Sequence, residues 1–454
     1  AALVLSSRPY FEVFSMSRRL PPLSAVSHSI SSLLAHPLYV GIDATAPSAH
    51  VGHLLPMAAA AAIARTDRPD CILLIGDATG AIGDPTGRTA PRDGQASSVI
   101  DRNADALEAQ LLAVLERRRG AGTVRVVRNS EWLSGLSFLD FLHRYAAAVP
   151  TREFLGRRHG SIEEQEAAAA SGDDGGWASL AGSTRVSELM YPFMQGIDFV
   201  ELAQRHGVRT QVGGSDQWGN MCTGMRLAGH LGLPQLSVAT TELLVDSSGR
   251  KLGKSTGGAV WLDPTLTPIF DFYQYFLGMD DALARTLLPA LLPSSVSQVE
   301  IDTLLHEDPE SRAVQRAVAD CVTDWVHGDT AVVGAQAAGS VLYRDRGAAI
   351  AASLHATGSL APEQAAALAV VRRATLVESP TTVADAFVLA GLSSSRSDLR
   401  RLVKGRGVRL NGSLVTRDQA DAPLSHDDVL QVPGVGRCFL GSVGKSSLAV
   451  VVLP

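Results

Sequence analysis

The sequence predicts an α/β fold: a doubly wound, Rossmann-like domain over residues 36–260, an α-helical domain over 261–340, a helical segment or linker over 341–380, and a small α+β domain over 381–454. Three observations carry this prediction. Two apolar runs without polar alternation, Pro37 to Ile42 and Pro69 to Gly76, have the composition of parallel strands buried on both faces. Each ends in a turn of small residues, and strand-like and helix-like stretches then alternate, as in a wound sheet. The last segment changes to short helices and a hairpin with Asn411-Gly412 at its turn.

The first strand breaks at Asp43, and His50-Val-Gly-His53 leads into an alanine-rich helical run from Leu54 to Arg65. Backbone N–H groups at such a helix start face an anion, and Gly52 lets a ligand approach the main chain. Pro56 fits if the helix starts near Gly52 or His53, because the first turn has no N–H bonds to lose. The histidine spacing alone is common, and without a glutamate between the two a zinc site is not expected. Asp77 to Arg88 reads as a glycine-rich connection, Asn103 to Arg118 as a helix, Thr123 to Asn129 as a strand and Leu136 to Tyr145 as a helix. Arg157 to Ser183 reads as a solvated loop or a short helix with a flexible end. Val186 to Asp198 is an apolar-faced helix in which Pro192 implies a kink or an entry position. Val208 to Gly214 is a strand, and Ser215-Asp-Gln-Trp-Gly-Asn220 opens the next helix. Mostly helical sequence runs from Pro268 to about Gly339. Val383–Ala390 and Arg396–Lys404 are short helices stopped by Gly391 and Gly405.

A formal charge of −6 argues against a protein that coats nucleic acid indiscriminately, yet residues 383–454 carry +3 and the remainder −9. Arg396, Arg400, Arg401, Lys404, Arg406 and Arg409 lie close together in that segment, with Asp398 as the acidic exception, and are expected to contact RNA phosphates. Cys71, Cys222, Cys321 and Cys438 show no C-x-x-C spacing, so neither a disulfide framework nor a zinc cluster is expected. No apolar run approaches the length of a membrane span, so no membrane partner is expected. The first 35 residues hold Arg8, Arg18, Arg19, nine serines and one acidic residue, Glu12. That composition predicts a transit peptide or a disordered N-terminal segment, with the mitochondrial matrix as destination and the cytoplasm as alternative.

Three strings occur in order: Leu38-Tyr-Val-Gly-Ile-Asp-Ala-Thr-Ala-Pro-Ser-Ala-His-Val-Gly-His-Leu54, Gly213-Gly-Ser-Asp-Gln-Trp-Gly-Asn220 and Arg250-Lys-Leu-Gly-Lys-Ser255. The first and last resemble the HIGH and KMSKS signatures of the class I aminoacyl-tRNA synthetases, and the whole set resembles the tyrosyl branch of bacterial and mitochondrial type. The resemblance runs from about Leu38 to the C-terminus and is weakest over 157–183 and 340–380. A phosphate-binding P-loop is excluded for Gly253-Lys-Ser255 because Ser248 stands where that loop needs glycine.

The resemblance implies that the tyrosine carboxylate attacks the α-phosphorus of ATP, releasing pyrophosphate, and that the tyrosyl group then passes to the terminal adenosine of tRNA(Tyr). It assigns catalytic positions to Thr45, His50, His53, Arg88, Arg92, Lys251, Lys254 and Ser255. ATP is expected at Gly41, His50, Gly52, His53, Gly214, Asp216 and Lys254. Tyr39 and Asp198 match the pair that binds the phenol. Asp84, Tyr191 and Gln195 match the ammonium site, with Asp43 and Gln217 near the amino and carboxylate end. Val40 and Ala44 depart from the family, which often has cysteine at the first position and usually proline at the second. Mg²⁺ accompanying ATP, a homodimer and no tightly bound metal are further implications. A tryptophanyl synthetase, or an RNA-binding protein with an added intron-splicing role, is the alternative.

Overall fold

The computed structural model describes residues 23–26, 36–63, 71–84, 96–119, 124–149, 186–243, 254–255, 258–291, 298–307, 309–345, 348–432, 435–444 and 447–454. The chain divides into two units, residues 1–263 with 279–318, and residues 264–278 with 319–454. The first is built on a six-stranded sheet with the order β1-β6-β5-β2-β3-β4. Its strands are β1 (Leu23–Val26), β2 (Leu38–Asp43), β3 (Cys71–Gly76), β4 (Val124–Arg128), β5 (Thr210–Gly214) and β6 (Ser237–Thr241). Strands β2 to β6 are mutually parallel and β1 is antiparallel to β6. The Cys-Ile-Leu-Leu-Ile-Gly sequence of β3 is wholly buried, as its unbroken apolar run predicts. The strand order reverses between β2 and β5, so the carboxyl ends of these two strands splay apart into a crevice.

Five helices matter for that crevice: α1 (Leu54–Ile63), α2 (Asp77–Ile82), α3 (Ser97–Arg119), α4 (Val186–His206) and α5 (Trp218–His230). A 3₁₀ turn, Val51–His53, precedes α1, which places Pro56 in the opening turns as expected. Phe193, Ile197, Phe199 and Val200 of α4 share one core with Tyr39, Ile72, Leu74, Met221 and Leu227. Burying side chains of this size contributes about 1.5–3 kcal/mol each, which fixes α4 against the strands that carry the crevice. A two-stranded ribbon, β7 (Lys254–Ser255) and β8 (Gly258–Ala259), follows in the chain.

The second unit holds the helices Ile269–Leu277, Asp329–Asp345, Ala348–Thr357 and Pro362–Val370, then a C-terminal sheet. Its strands are β9 (Arg373–Thr375), β10 (Val408–Leu410), β11 (Ser413–Leu414), β12 (Leu430–Val432), β13 (Gly436–Val443) and β14 (Ser447–Val452), in the order β11-β10-β13-β14-β9 with β12 on β13. Helices Val383–Leu389 and Arg396–Lys404 share a core with it through Phe387, Leu399, Val403 and Phe439. The hairpin turn has φ of 49° at Asn411 and 84° at Gly412, which the Asn-Gly pair tolerates best.

Four expectations need correction. Residues 77–82, read as connection, form α2, because Ala78 N–H in the first turn is held by Asp77 Oδ1 at 2.8 Å and Asn129 Oδ1 at 3.0 Å, contacts that outweigh the low helix propensity of Gly80. The helix expected over 136–145 is broken into a turn at Phe138–Asp140, a π turn at Phe141–Tyr145 and a 3₁₀ turn at Ala146–Ala148. Leu23–Val26, assigned to the leader or disordered segment, pairs as an edge strand with β6, itself a strand missed from sequence. Within 341–380, read as helical segment or linker, β9 joins the C-terminal sheet in parallel with β14.

Candidate active site

Strand ends β2 and β5, with α4 and the loop before α1, enclose a cleft of about 540 Å³. Tyr39, Gly41, Asp43, Thr45, His50, Gly52, His53, Asp84, Tyr191, Gln195, Asp198, Gly214, Asp216 and Gln217 all line it. Residues scattered over nearly 180 positions of sequence thus converge on one crevice. Arg88, Arg92 and Lys251 lie outside the described residues. Lys254 and Ser255 are placed as backbone of β7.

The cleft floor is polar and buried. Asp198 is 2% exposed, with one carboxylate oxygen accepting from Trp132 Nε1 at 2.8 Å and the other from Asn129 Nδ2 at 3.0 Å. Burial raises its pKa to about 7, against the lowering effect of those two donors. A carboxylate offers about four acceptor positions, so two remain for a ligand. Tyr39 is 1% exposed, and its hydroxyl has no hydrogen-bond partner among the described residues. Burial, and then the nearby Asp198, push its pKa well above the usual phenol range, so it stays a neutral donor and acceptor. An unpaired buried hydroxyl costs roughly 1–3 kcal/mol, a cost that a ligand hydroxyl placed beside it and Asp198 would remove.

Asn129 joins the two ends of this floor. Its Oδ1 accepts from Ala78 N–H at 3.0 Å, which fixes the amide so that Nδ2 faces Thr79 Oγ1 at 2.9 Å and Asp198 at 3.0 Å. Thr79 in turn donates to Asp43 Oδ1 at 2.7 Å, and Tyr191 donates to Asp43 Oδ2 at 2.7 Å. Gly76 permits this arrangement, since a Cβ there would lie 2.3 Å from both Asp43 Oδ1 and Thr79 Oγ1. Gln217 donates to Asp84 at 2.7 Å, and Gln195 Oε1 is buried without a partner among the described residues. Acceptors therefore crowd one end of the cleft, which suits a cation with several N–H donors.

The opposite end carries donors. His50 Nδ1 accepts from Gly52 N–H at 3.1 Å, and His53 Nδ1 accepts from His50 N–H at 3.1 Å. The rings stack with centroids 4.0 Å apart. With Nδ1 as acceptor, each neutral imidazole presents Nε2–H as its donor. Burial, and then His50, push the pKa of His53 down to about 3, so it can hydrogen-bond an anion but cannot neutralise one.

Sequence reading missed Thr79, Asn129, Trp132 and Gln211. Asn129 at the carboxyl end of β4 was the legible signal, because side chains there face the ligand crevice. Gln211, a polar residue inside the buried strand β5, lines the cleft with an unpartnered Oε1. The basic cluster is also less free than its sequence implied: Arg396 pairs with Asp385, Arg400 with Asp421 at 2.7 Å and Arg401 with Asp398 at 2.7 Å. Arg409 donates to Gly412 O at 2.9 Å. Lys404 and Arg406 are exposed and carry no ion pair among the described residues. Asp398 is therefore not the lone acid of the cluster.

A switch-point crevice lined by buried acceptors and neutral histidine donors, with a Lys254-containing ribbon after the sheet, is the layout that the signature strings imply for a class I synthetase. Residues 35–343 match the family described as tRNA synthetases class I (W and Y), and the chain belongs to that family of aminoacyl-tRNA synthetases. It is 34% identical over 425 residues to a tyrosine–tRNA ligase of Streptomyces coelicolor, covering 91% of each chain. A tyrosine–tRNA ligase of Anaeromyxobacter dehalogenans is 33% identical over 424 residues, 91% of this chain and 92% of that one. Among solved structures, a C-terminally truncated mitochondrial tyrosyl-tRNA synthetase of Coccidioides posadasii is 28% identical with a TM-score of 0.54, covering 70% of this chain and 88% of its own. The corresponding enzyme of Aspergillus nidulans is 27% identical with a TM-score of 0.55, covering 68% of this chain and 86% of its own.

Proposed function

We propose that the chain is a tyrosine–tRNA ligase that forms tyrosyl-adenylate from tyrosine and ATP and transfers the tyrosyl group to the terminal adenosine of tRNA(Tyr). The observation that carries this reading is the cleft floor, where the unpaired Tyr39 hydroxyl and the half-filled Asp198 carboxylate face the same space. A phenolic hydroxyl supplies one donor and two acceptor positions and satisfies both. An indole offers one donor and no acceptor, which would leave Tyr39 without the acceptor it needs to donate to, and phenylalanine satisfies neither.

In this reading the ammonium group of tyrosine sits among Asp43, Asp84, Tyr191 and Gln195, with Gln217 beside its carboxylate. The histidines and Thr45 hydrogen-bond phosphate oxygens, and Gly41, Gly52, Gly214 and Asp216 flank the nucleoside. Arg88, Arg92, Lys251, Lys254 and Ser255 meet the charge that builds on the leaving pyrophosphate, with Mg²⁺ arriving on the triphosphate. Most of the acceleration comes from holding carboxylate and phosphorus in line and from stabilising that charge.

The same proposal includes a mitochondrial role, supported by the serine- and arginine-rich N-terminal segment and by the mitochondrial enzymes among the solved relatives. It also includes a homodimer, for which the exposed Phe138 and Leu139, 73% and 65% accessible, offer an apolar face. Amino-acid-dependent ATP–pyrophosphate exchange by the purified chain tests the central point. Exchange with tyrosine is expected. Exchange supported by tryptophan instead would overturn the substrate assignment.

A further inference from the structure

We propose that Gln110, through Ser48, is a positioning residue that clasps the histidine loop to the root of the Lys254 ribbon and so serves the adenylation step, an inference that rests on the chemistry proposed above. Gln110 lies on α3 and does not line the cleft. Its Oε1 accepts from Ala49 N–H at 2.9 Å, which orients the amide so that Nε2 donates to Ser48 Oγ at 3.1 Å. Ser48 is 2% exposed, and its hydroxyl donates to Ala49 O at 2.7 Å while accepting from Asp263 N–H at 3.1 Å. About two turns earlier on the same face of α3, Asn103 donates to Ala44 O at 3.0 Å, so the helix holds both ends of the loop.

What the clasp joins gives it a function. Residues 49–51 are laced to 260–262 by Val51 N–H to Val260 O at 3.0 Å and Leu262 N–H to Ala49 O at 2.8 Å, with His50 and Trp261 bridged antiparallel. The 260–263 segment leads directly out of β8, whose ribbon partner β7 is Lys254–Ser255. The loop that presents His50 and the root of the ribbon that presents Lys254 are therefore one hydrogen-bonded unit, and Gln110 is its outer support. None of these bonds reaches Tyr39, Asn129, Trp132 or Asp198, so the clasp bears on the nucleotide end of the cleft and leaves the phenol end alone.

The test is ATP–pyrophosphate exchange with KM measured separately for tyrosine and for ATP in the wild-type chain, Gln110→Ala and Gln110→Glu, alongside thermal unfolding. Gln110→Ala is expected to lower kcat/KM for ATP about tenfold, the scale of one lost hydrogen bond to a buried loop, with the KM for tyrosine unchanged. Gln110→Glu keeps the acceptor for Ala49 N–H and keeps an oxygen to which Ser48 Oγ, 3.2 Å from Gln110 Oε1, can donate, so it is expected to recover most of the loss. Unaltered kinetics in Gln110→Ala would overturn the proposal. So would an equal loss for both substrates that follows a lowered Tm and is not rescued by glutamate, since packing alone would then account for it. A wild-type chain silent in exchange would instead overturn the adenylation chemistry on which the proposal rests.

Discussion

The cleft of the first unit and the basic cluster of the C-terminal sheet domain handle their polar groups in opposite ways. In the cleft, Tyr39 Oη, Gln195 Oε1 and Gln211 Oε1 are buried with no partner among the described residues. In the basic cluster, three of the arginines are already engaged by Asp385, Asp421 and Asp398, and a fourth, Arg409, donates from Nη1 to Gly412 O while its Nε is buried without a partner among the described residues. Unpaired buried atoms cost stability, and three of them lining one cleft suit a site completed by a ligand. Paired surface ions cost little and mark a face whose arginines largely hold their own domain together. Charge counted along a sequence overstates binding capacity, whereas buried, unsatisfied polarity is visible only once the chain is folded.

The largest expected effect lies in the Lys254 ribbon that follows the sheet. Lys254→Ala should slow tyrosyl-adenylate formation by roughly 10²–10³, the scale of losing one preorganised donor to developing charge. Single-turnover adenylate formation measures it, and an unchanged rate would remove Lys254 from the proposed chemistry.

A smaller effect separates the basic residues from one another. Lys404→Glu with Arg406→Glu should weaken tRNA binding and flatten its salt dependence by about one to two counterions. Arg396→Ala should instead lower the unfolding temperature with little change in RNA affinity, because Arg396 holds Asp385 beside the Thr382 cap. Filter binding across a salt series and thermal melts compare the two. Equal RNA losses in both variants would erase the distinction between engaged and free cations.

The smallest expected effect is a pH dependence centred on Asp198. Its folded pKa of about 7 lies above the ordinary carboxylate value of 3.8, so the folded protein binds an extra proton between these values. Stability contributed by this group therefore falls as pH rises across that window, and Asp198→Asn should flatten that part of the profile. The KM for tyrosine should move the other way, rising as pH drops below about 7 and the carboxylate loses acceptor capacity. Chemical denaturation and exchange kinetics over the same pH series read out both.

Much of this was legible in the sequence for physical reasons. Apolar runs such as Cys71–Gly76 can be satisfied only inside a parallel sheet, and the Asn411-Gly412 pair specifies its own turn. Residues of the first two signature strings also line the crevice, because βα turns put them at strand ends, whereas the third string lies largely outside the described residues. The network behind them was not legible. Asn129 and Trp132 meet Asp198 across 69 and 66 positions of sequence, a contact that no local periodicity encodes. The break at 138–145 and the helix at 77–82 likewise depend on tertiary contacts that override propensity. Gln110 left no trace in the pattern, being one polar residue on a long amphipathic helix.

In the proposed function, Tyr39 and Asp198 select the substrate by its phenolic hydroxyl. The most direct test is pyrophosphate exchange with tyrosine and with phenylalanine in the wild-type chain and in Asp198→Ala. The variant is expected to lose about 10² in kcat/KM for tyrosine, the scale of a hydrogen bond to a buried charged group, with its preference over phenylalanine shrinking in proportion. Full discrimination against phenylalanine retained in Asp198→Ala would contradict this assignment.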